Sequence, residues 1–84
     1  MEVELTVLAR KQWKELRHDR TLFTRIEAAL DKIEANCEAG KPLTGKLVGL
    51  RSYDVGDYRI LYEIVDDELI VTVVKVGNRR DVYR

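Results

Sequence analysis

The chain has 84 residues, 45% of them hydrophobic and 36% charged, with 15 basic and 15 acidic side chains and no formal net charge. At roughly 100–200 residues per domain that length holds one hydrophobic core, which excludes large cofactor-dependent enzymes. One cysteine, Cys37, excludes an intramolecular disulfide framework and a cysteine-rich zinc site, and one histidine, His18, speaks against ordinary zinc chemistry and a serine–histidine–acid triad.

No run approaches the roughly 18 apolar residues of a membrane span, and the N-terminus has no signal-peptide hydrophobic region, so a cytoplasmic, membrane-free protein is expected. A neutral total speaks against a general nucleic-acid binder. The distribution is uneven, however. Lys75, Arg79, Arg80 and Arg84 stand against Asp81 alone at the C-terminus, while Glu63, Asp66, Asp67 and Glu68 form an acidic run. A polarised surface with one basic patch is the reading this suggests, and two solvated charge clusters are the plainer alternative.

In chain order, residues 2–8 place Val3, Leu5 and Val7 at period two, which predicts a strand. From Ala9 the period changes, and Ala9, Trp13 and Leu16 make a helical stripe ending near His18 and Asp19. Leu22, Phe23, Ile26, Ala29, Leu30, Ile33 and Cys37 then recur at three and four, predicting a second helix from near Thr21 or Leu22, with Asp19 or Thr21 as its cap. Gly40 and Pro42 are the expected stop. The short link between the helices predicts an antiparallel hairpin, with Trp13 and Phe23 packing inside it.

Residues 40–49 carry three glycines and a proline and read as irregular or weakly extended. Three strands follow, at Leu50–Val55, Asp57–Val65 and Leu69–Val76, rich in β-branched and aromatic residues. Gly56-Asp57 and Asp66-Asp67-Glu68 are their turns, so the strands form an antiparallel meander. Tyr58, Ile60, Tyr62 and Ile64 share the face expected to meet the helices. Arg59, Leu61, Glu63 and Val65 share the other, which is expected to be partly open. The expected whole is a small α+β layer fold, spanning residues 1–84 as a single domain.

Nothing in the chain resembles a phosphate-binding glycine loop, a His-x-x-x-His pair or a CxxC. What stands out is a set of arginines and tyrosines: Arg59 on the open face of the central strand, Arg79, Arg80 and Tyr83 after the last strand, and Lys46 and Arg51 before the first strand of the meander. Such a set suits a phosphodiester, because a guanidinium forks onto two phosphate oxygens and keeps its proton. RNA also brings its own nucleophile, the 2′-hydroxyl. Alignment of that hydroxyl with phosphorus then needs neither a metal nor a covalent nucleophile. Each residue has a plain structural alternative: a salt bridge from Arg59 to Glu63, solvated charges for the other cations, ring packing for Tyr83.

The run VGDYRILYEI at 55–64, the run VVKVGNRRDVYR at 73–84 and the upstream K-P-L-x-G-x-L-x-G-L at 41–50, with the helical hairpin before them, resemble the RelE/ParE superfamily of toxins. The resemblance covers essentially the whole chain. It implies an N-terminal strand, two helices and a three-stranded antiparallel meander. It implies an endoribonuclease (an mRNA interferase) that cuts messenger RNA in the ribosomal A site and inhibits translation. Cleavage would proceed without a metal or other cofactor and leave a 2′,3′-cyclic phosphate. It also implies a cognate antitoxin, in a heterodimer or heterotetramer.

Under the resemblance Arg59 takes the role of contacting the scissile phosphate, Arg79 of stabilising the transition state, and Tyr83 of orientation or proton transfer. Lys46, Arg51 and Arg80 are the further cations expected to contact RNA. The chain departs from the pattern at Ser52 and Asp54, where relatives carry bases, and at Asn78, where many carry histidine. Lys46 or Arg51 would then supply a cation from a shifted position. Two alternatives follow: a ParE-like inhibitor of DNA gyrase that acts by binding, or a degenerate toxin of weak activity.

Overall fold

A computed structural model describes residues 2–65, 70–78 and 80. The chain opens with strand β1 (Glu2–Leu5), helix α1 (Val7–Glu15), a single 3-10 turn at Leu16–His18 and helix α2 (Arg20–Ala35). Strands β2 (Lys41–Pro42), β3 (Arg51–Val55), β4 (Tyr58–Val65) and β5 (Ile70–Asn78) follow, with a 3-10 turn at Gly45–Leu47 between β2 and β3. The five strands form one sheet in the order β1-β5-β4-β3-β2, in which β1 runs parallel to β5 and the other pairs are antiparallel. This is the expected α+β architecture, with a two-residue strand added at one edge.

Two boundaries differ from the periodicity, for one reason. The period-two reading carried the first strand through Val7 and Leu8. Thr6 ends it instead, because its hydroxyl accepts from the Ala9 amide at 3.1 Å and caps α1. Val7 is thereby turned outward and is 87% exposed, rather than packed beside Val3 and Leu5. At the other end of the hairpin, α2 stops at Ala35 and not at Gly40. Asn36 caps it in an extended conformation and accepts from the Glu38 amide, so Cys37 lies in the following turn rather than on the helical stripe. Asp19 is the cap of α2, accepting from the Leu22 amide at 3.1 Å.

The core lies between the helices and one sheet face. Ala9, Ile26, Ala29 and Ile33 from the helices meet Val55, Ile60, Tyr62, Val73 and Val76 from the strands, all buried. Trp13 and Phe23 stack with ring centroids 4.6 Å apart, as the hairpin reading requires. Between Leu61 and Tyr62 the β4–β5 register shifts, pairing Leu61 with Lys75 and Tyr62 with Val73. That bulge lets Val73 and Val76, three apart, both enter the core, where strict alternation would have turned one away.

Strand β1 reaches only to Val73 of its neighbour, so β5 would be left unpaired beyond it. Helix α1 completes the edge. Thr6 donates from its backbone amide to Val73 O at 3.0 Å and from its hydroxyl to Val74 O at 3.2 Å. Gln12 Oε1 then accepts from the Val76 amide at 2.8 Å. These side chains do what a longer strand would have done, and they fix the height of α1 along the sheet. The turn expected at Asp66-Asp67-Glu68 lies outside the described residues.

Candidate functional site

The β3–β4 turn is tight because Gly56 takes a φ of +59°, in the left-handed region that suits glycine. It returns the chain so that Asp54 stands directly across from Arg59, and Val55 from Tyr58. On the far side of β4, Arg59 faces Gly77 and Tyr58 faces Asn78. Gly77 has no side chain to cross the arginine. Alternation along β4 directs Tyr58, Ile60 and Tyr62 to the helices, and so Arg59 to the opposite face.

At this end of the sheet lies a groove of about 410 Å³ lined by Asp57, Arg59, Asn78 and Arg80. Arg59 Nε donates to Asp54 Oδ1 at 2.6 Å, with the Arg59 side chain 17% exposed and that of Asp54 54% exposed. The ion pair is a cross-strand one with Asp54, where the sequence suggests Glu63 on the same strand. Asn78 Oδ1 accepts from the Arg80 amide at 3.0 Å, the bond of an Asx turn. Among the described residues, two guanidinium groups and two carboxylates therefore stand within one neighbourhood, a mixed set of charges. Paired arginines can hold a phosphate between them, and the acidic partners limit how strongly they attract any other anion.

The sequence-based set is only partly assembled here. Arg59 and Arg80 line the groove; Arg79 and Tyr83 lie outside the described residues. Arg51 is drawn to the opposite side. It stands across from Tyr62, on the helix-facing side of the sheet, and its Nη1 donates to Gly40 O at 2.8 Å and Glu38 O at 3.4 Å. Lys46 is exposed in the 3-10 turn beyond the other end of β3, away from Arg59. Neither cation stands in for the bases absent at Ser52 and Asp54 by sharing the groove. Ser52 itself is buried, opposite the buried Leu61, so the face expected to be open is closed at its centre.

Asp57 is a groove residue that the sequence reading places in the turn and at the start of the central strand, with no functional role. Its signal is its place in the turn that leads straight into the strand carrying Arg59. In the sequence Asn78 stands out only as a departure from the family pattern. A second concavity, of about 540 Å³, runs along α1 and is lined by Val7, Arg10, Lys11, Lys14, Glu15, Arg17 and His18.

Comparison with known proteins places these features in context. Residues 3–83 match the family described as the ParE toxin of type II toxin–antitoxin systems, parDE. The chain is 35% identical over 83 residues to toxin RelG of Mycobacterium tuberculosis, covering 98% of this chain and 94% of that protein. Among solved structures, a chain of the toxin–antitoxin complex RelBE2 from the same organism superposes with a TM-score of 0.79 at 33% identity, covering 93% of this chain and 96% of that one. A YoeB/ParE toxin from Agrobacterium tumefaciens gives a TM-score of 0.84 at 16% identity, over 94% and 99% of the two chains, a likeness of fold alone.

Proposed function

Because the chain belongs to the ParE toxin family of type II toxin–antitoxin systems, we propose that it is a toxin that cuts messenger RNA on the ribosome and is held inactive by a cognate antitoxin. The observation that carries this reading is Arg59, projecting from the central strand into a groove that Arg80 also lines. An arginine on a strand is held by the ladder at both flanks, which is how a phosphate ligand gains a fixed position.

In the proposed reaction the RNA 2′-oxygen bonds to the adjacent phosphorus and the bond from phosphorus to the 5′-oxygen breaks. The 2′ proton leaves to a base, and a proton reaches the departing 5′-oxygen. The product is a 2′,3′-cyclic phosphate. Arg59 holds the non-bridging oxygens, Arg79 takes the charge that builds on phosphorus, and Tyr83 orients the reactants or moves a proton. The last two roles follow the family resemblance. Loss of one such donor lowers kcat by about 10²–10³.

The test is to add purified protein to ribosomes stalled on a defined messenger RNA and to map new 5′ ends by primer extension, with Arg59→Ala and Arg79→Ala as controls. Cuts within the A-site codon that vanish in both controls are the expected result. Normal cutting by both variants overturns the site; no cutting by folded protein overturns the nuclease reading.

The acidic partners of the groove favour one second reading, a toxin that binds DNA gyrase rather than cutting RNA. It predicts inhibition of supercoiling at stoichiometric protein, unaffected by Arg59→Ala. The antitoxin, in either reading, is expected to mask the Arg59 groove, since an extended or helical acidic segment complements two guanidinium groups.

A further inference from the structure

We propose that Asp54 is a positioning residue: it holds the Arg59 guanidinium by its Nε edge and thereby sets the angle at which Arg59 meets a phosphate in the groove. This rests on the nuclease reading for its kinetic consequence, but not for its structural one.

Three observations support it. Asp54 and Arg59 are direct partners in the β3–β4 ladder, so the backbone fixes both ends of the contact. The Nε–Oδ1 distance is 2.6 Å, the length of a charge-assisted bond, and it engages one edge of a planar group. The arginine side chain is only 17% exposed although it lines an open groove, so most of it is withdrawn from water. An arginine already ordered has less rotational freedom to lose when phosphate arrives, and small misplacements of such a group are costly in rate.

The carboxylate has a second effect of opposite sign, because it repels the same phosphate that Arg59 attracts. Its removal is therefore expected to tighten binding while slowing the chemistry. Loss of folded protein would not split the two constants in that way.

The experiment compares the full chain with Asp54→Ala, Asp54→Asn, Arg59→Ala and the double variant Asp54→Ala/Arg59→Ala. Two readouts are taken: cleavage kinetics on programmed ribosomes, and the hydrogen exchange of the Arg59 Nε–H followed by NMR. Expected is a fall in kcat of about ten- to a hundredfold for Asp54→Ala, with KM lowered. Asn, which keeps an acceptor oxygen, recovers most of kcat while KM stays low. In the Arg59→Ala background the Asp54→Ala change adds no further loss of kcat. The Nε–H exchanges slowly in the wild type and in Asp54→Asn, and quickly in Asp54→Ala.

Equal exchange rates in the wild type and Asp54→Ala, or an unchanged or raised kcat in Asp54→Ala, overturn the proposal. If the wild type cuts no RNA, the same resonance is followed on addition of an uncleavable 2′-deoxy trinucleotide. A response in the wild type that Asp54→Ala abolishes sustains the positioning role while the nuclease reading falls. No response overturns both.

Discussion

Tyr62 shows how one side chain can fix a distant loop. It is fully buried, its hydroxyl donates to Cys37 O at 2.6 Å, and the same oxygen accepts from the Gly40 amide at 2.7 Å. Residue 40 is held to glycine by the same ring: a Cβ there would sit 2.5 Å from the phenol oxygen and 2.6 Å from a ring carbon. Gly40→Ala is expected to destabilise the chain by about 1–3 kcal/mol through overpacking. Tyr62→Phe, which leaves a buried donor and acceptor unpaired, is expected to destabilise it by about 1–3 kcal/mol. Urea unfolding measures both. Burial pushes the Tyr62 phenol above its ordinary value near 10, outweighing the Gly40 amide and the Arg51 guanidinium, which both favour the phenolate. A raised folded-state pKa means the folded form keeps its proton longer. The associated stability is thus fully present below about pH 10 and falls as pH rises through the raised value. The wild type should accordingly lose stability above pH 10 more steeply than Tyr62→Phe.

Among the elements, the junction of α1 with β5 bears most directly on the site, since β5 carries Gly77 and Asn78 to the groove. Thr6 and Gln12 supply the hydrogen bonds that β1 is too short to make. Gln12→Ala leaves the Val76 amide without its partner and is expected to cost about 1–3 kcal/mol. Thr6→Ala removes a helix cap and a strand contact together, and a loss of about 1–2 kcal/mol is expected from the cap alone. Amide exchange distinguishes the two: Gln12→Ala should expose Val76 selectively, whereas Thr6→Ala should fray the first turn of α1 as well.

For the molecule as a whole, neutrality limits what the groove does alone. With Arg51 drawn to the helix-facing side, the arginines left for RNA are Arg59, Arg79 and Arg80, and three contacts to single-stranded RNA give a slope of log K against log salt of only about −2. Naked RNA is therefore expected to bind weakly and with that shallow slope, measurable by fluorescence anisotropy across a salt series. Affinity for the working complex must then come from a larger surface than the groove. Masking by the antitoxin should also stabilise the fold. A partner present at a thousand times its Kd adds about 4 kcal/mol at 25 °C if it binds only the folded chain, and the melting temperature of the complex compared with the free toxin tests this.

Sequence alone determined the α+β class, both helices, the order of the meander and the core face of β4, because spacing at two or at three and four records which side of an element is buried. Arg59 on the opposite face followed from the same alternation. Boundaries set by competition were not legible that way: Val7 fits a strand until the Thr6 hydroxyl finds the Ala9 amide, and Gly40 fits a helix stop until the Tyr62 ring is seen against it. Partners across strands were equally hidden, since register is a relation between distant segments. Arg51 and Arg59 look alike in the sequence, eight residues apart. Alternation turns Arg59 away from the helices, but only the ladder sets Asp54 across from it and turns Arg51, across from Tyr62, to the helices to hold a loop.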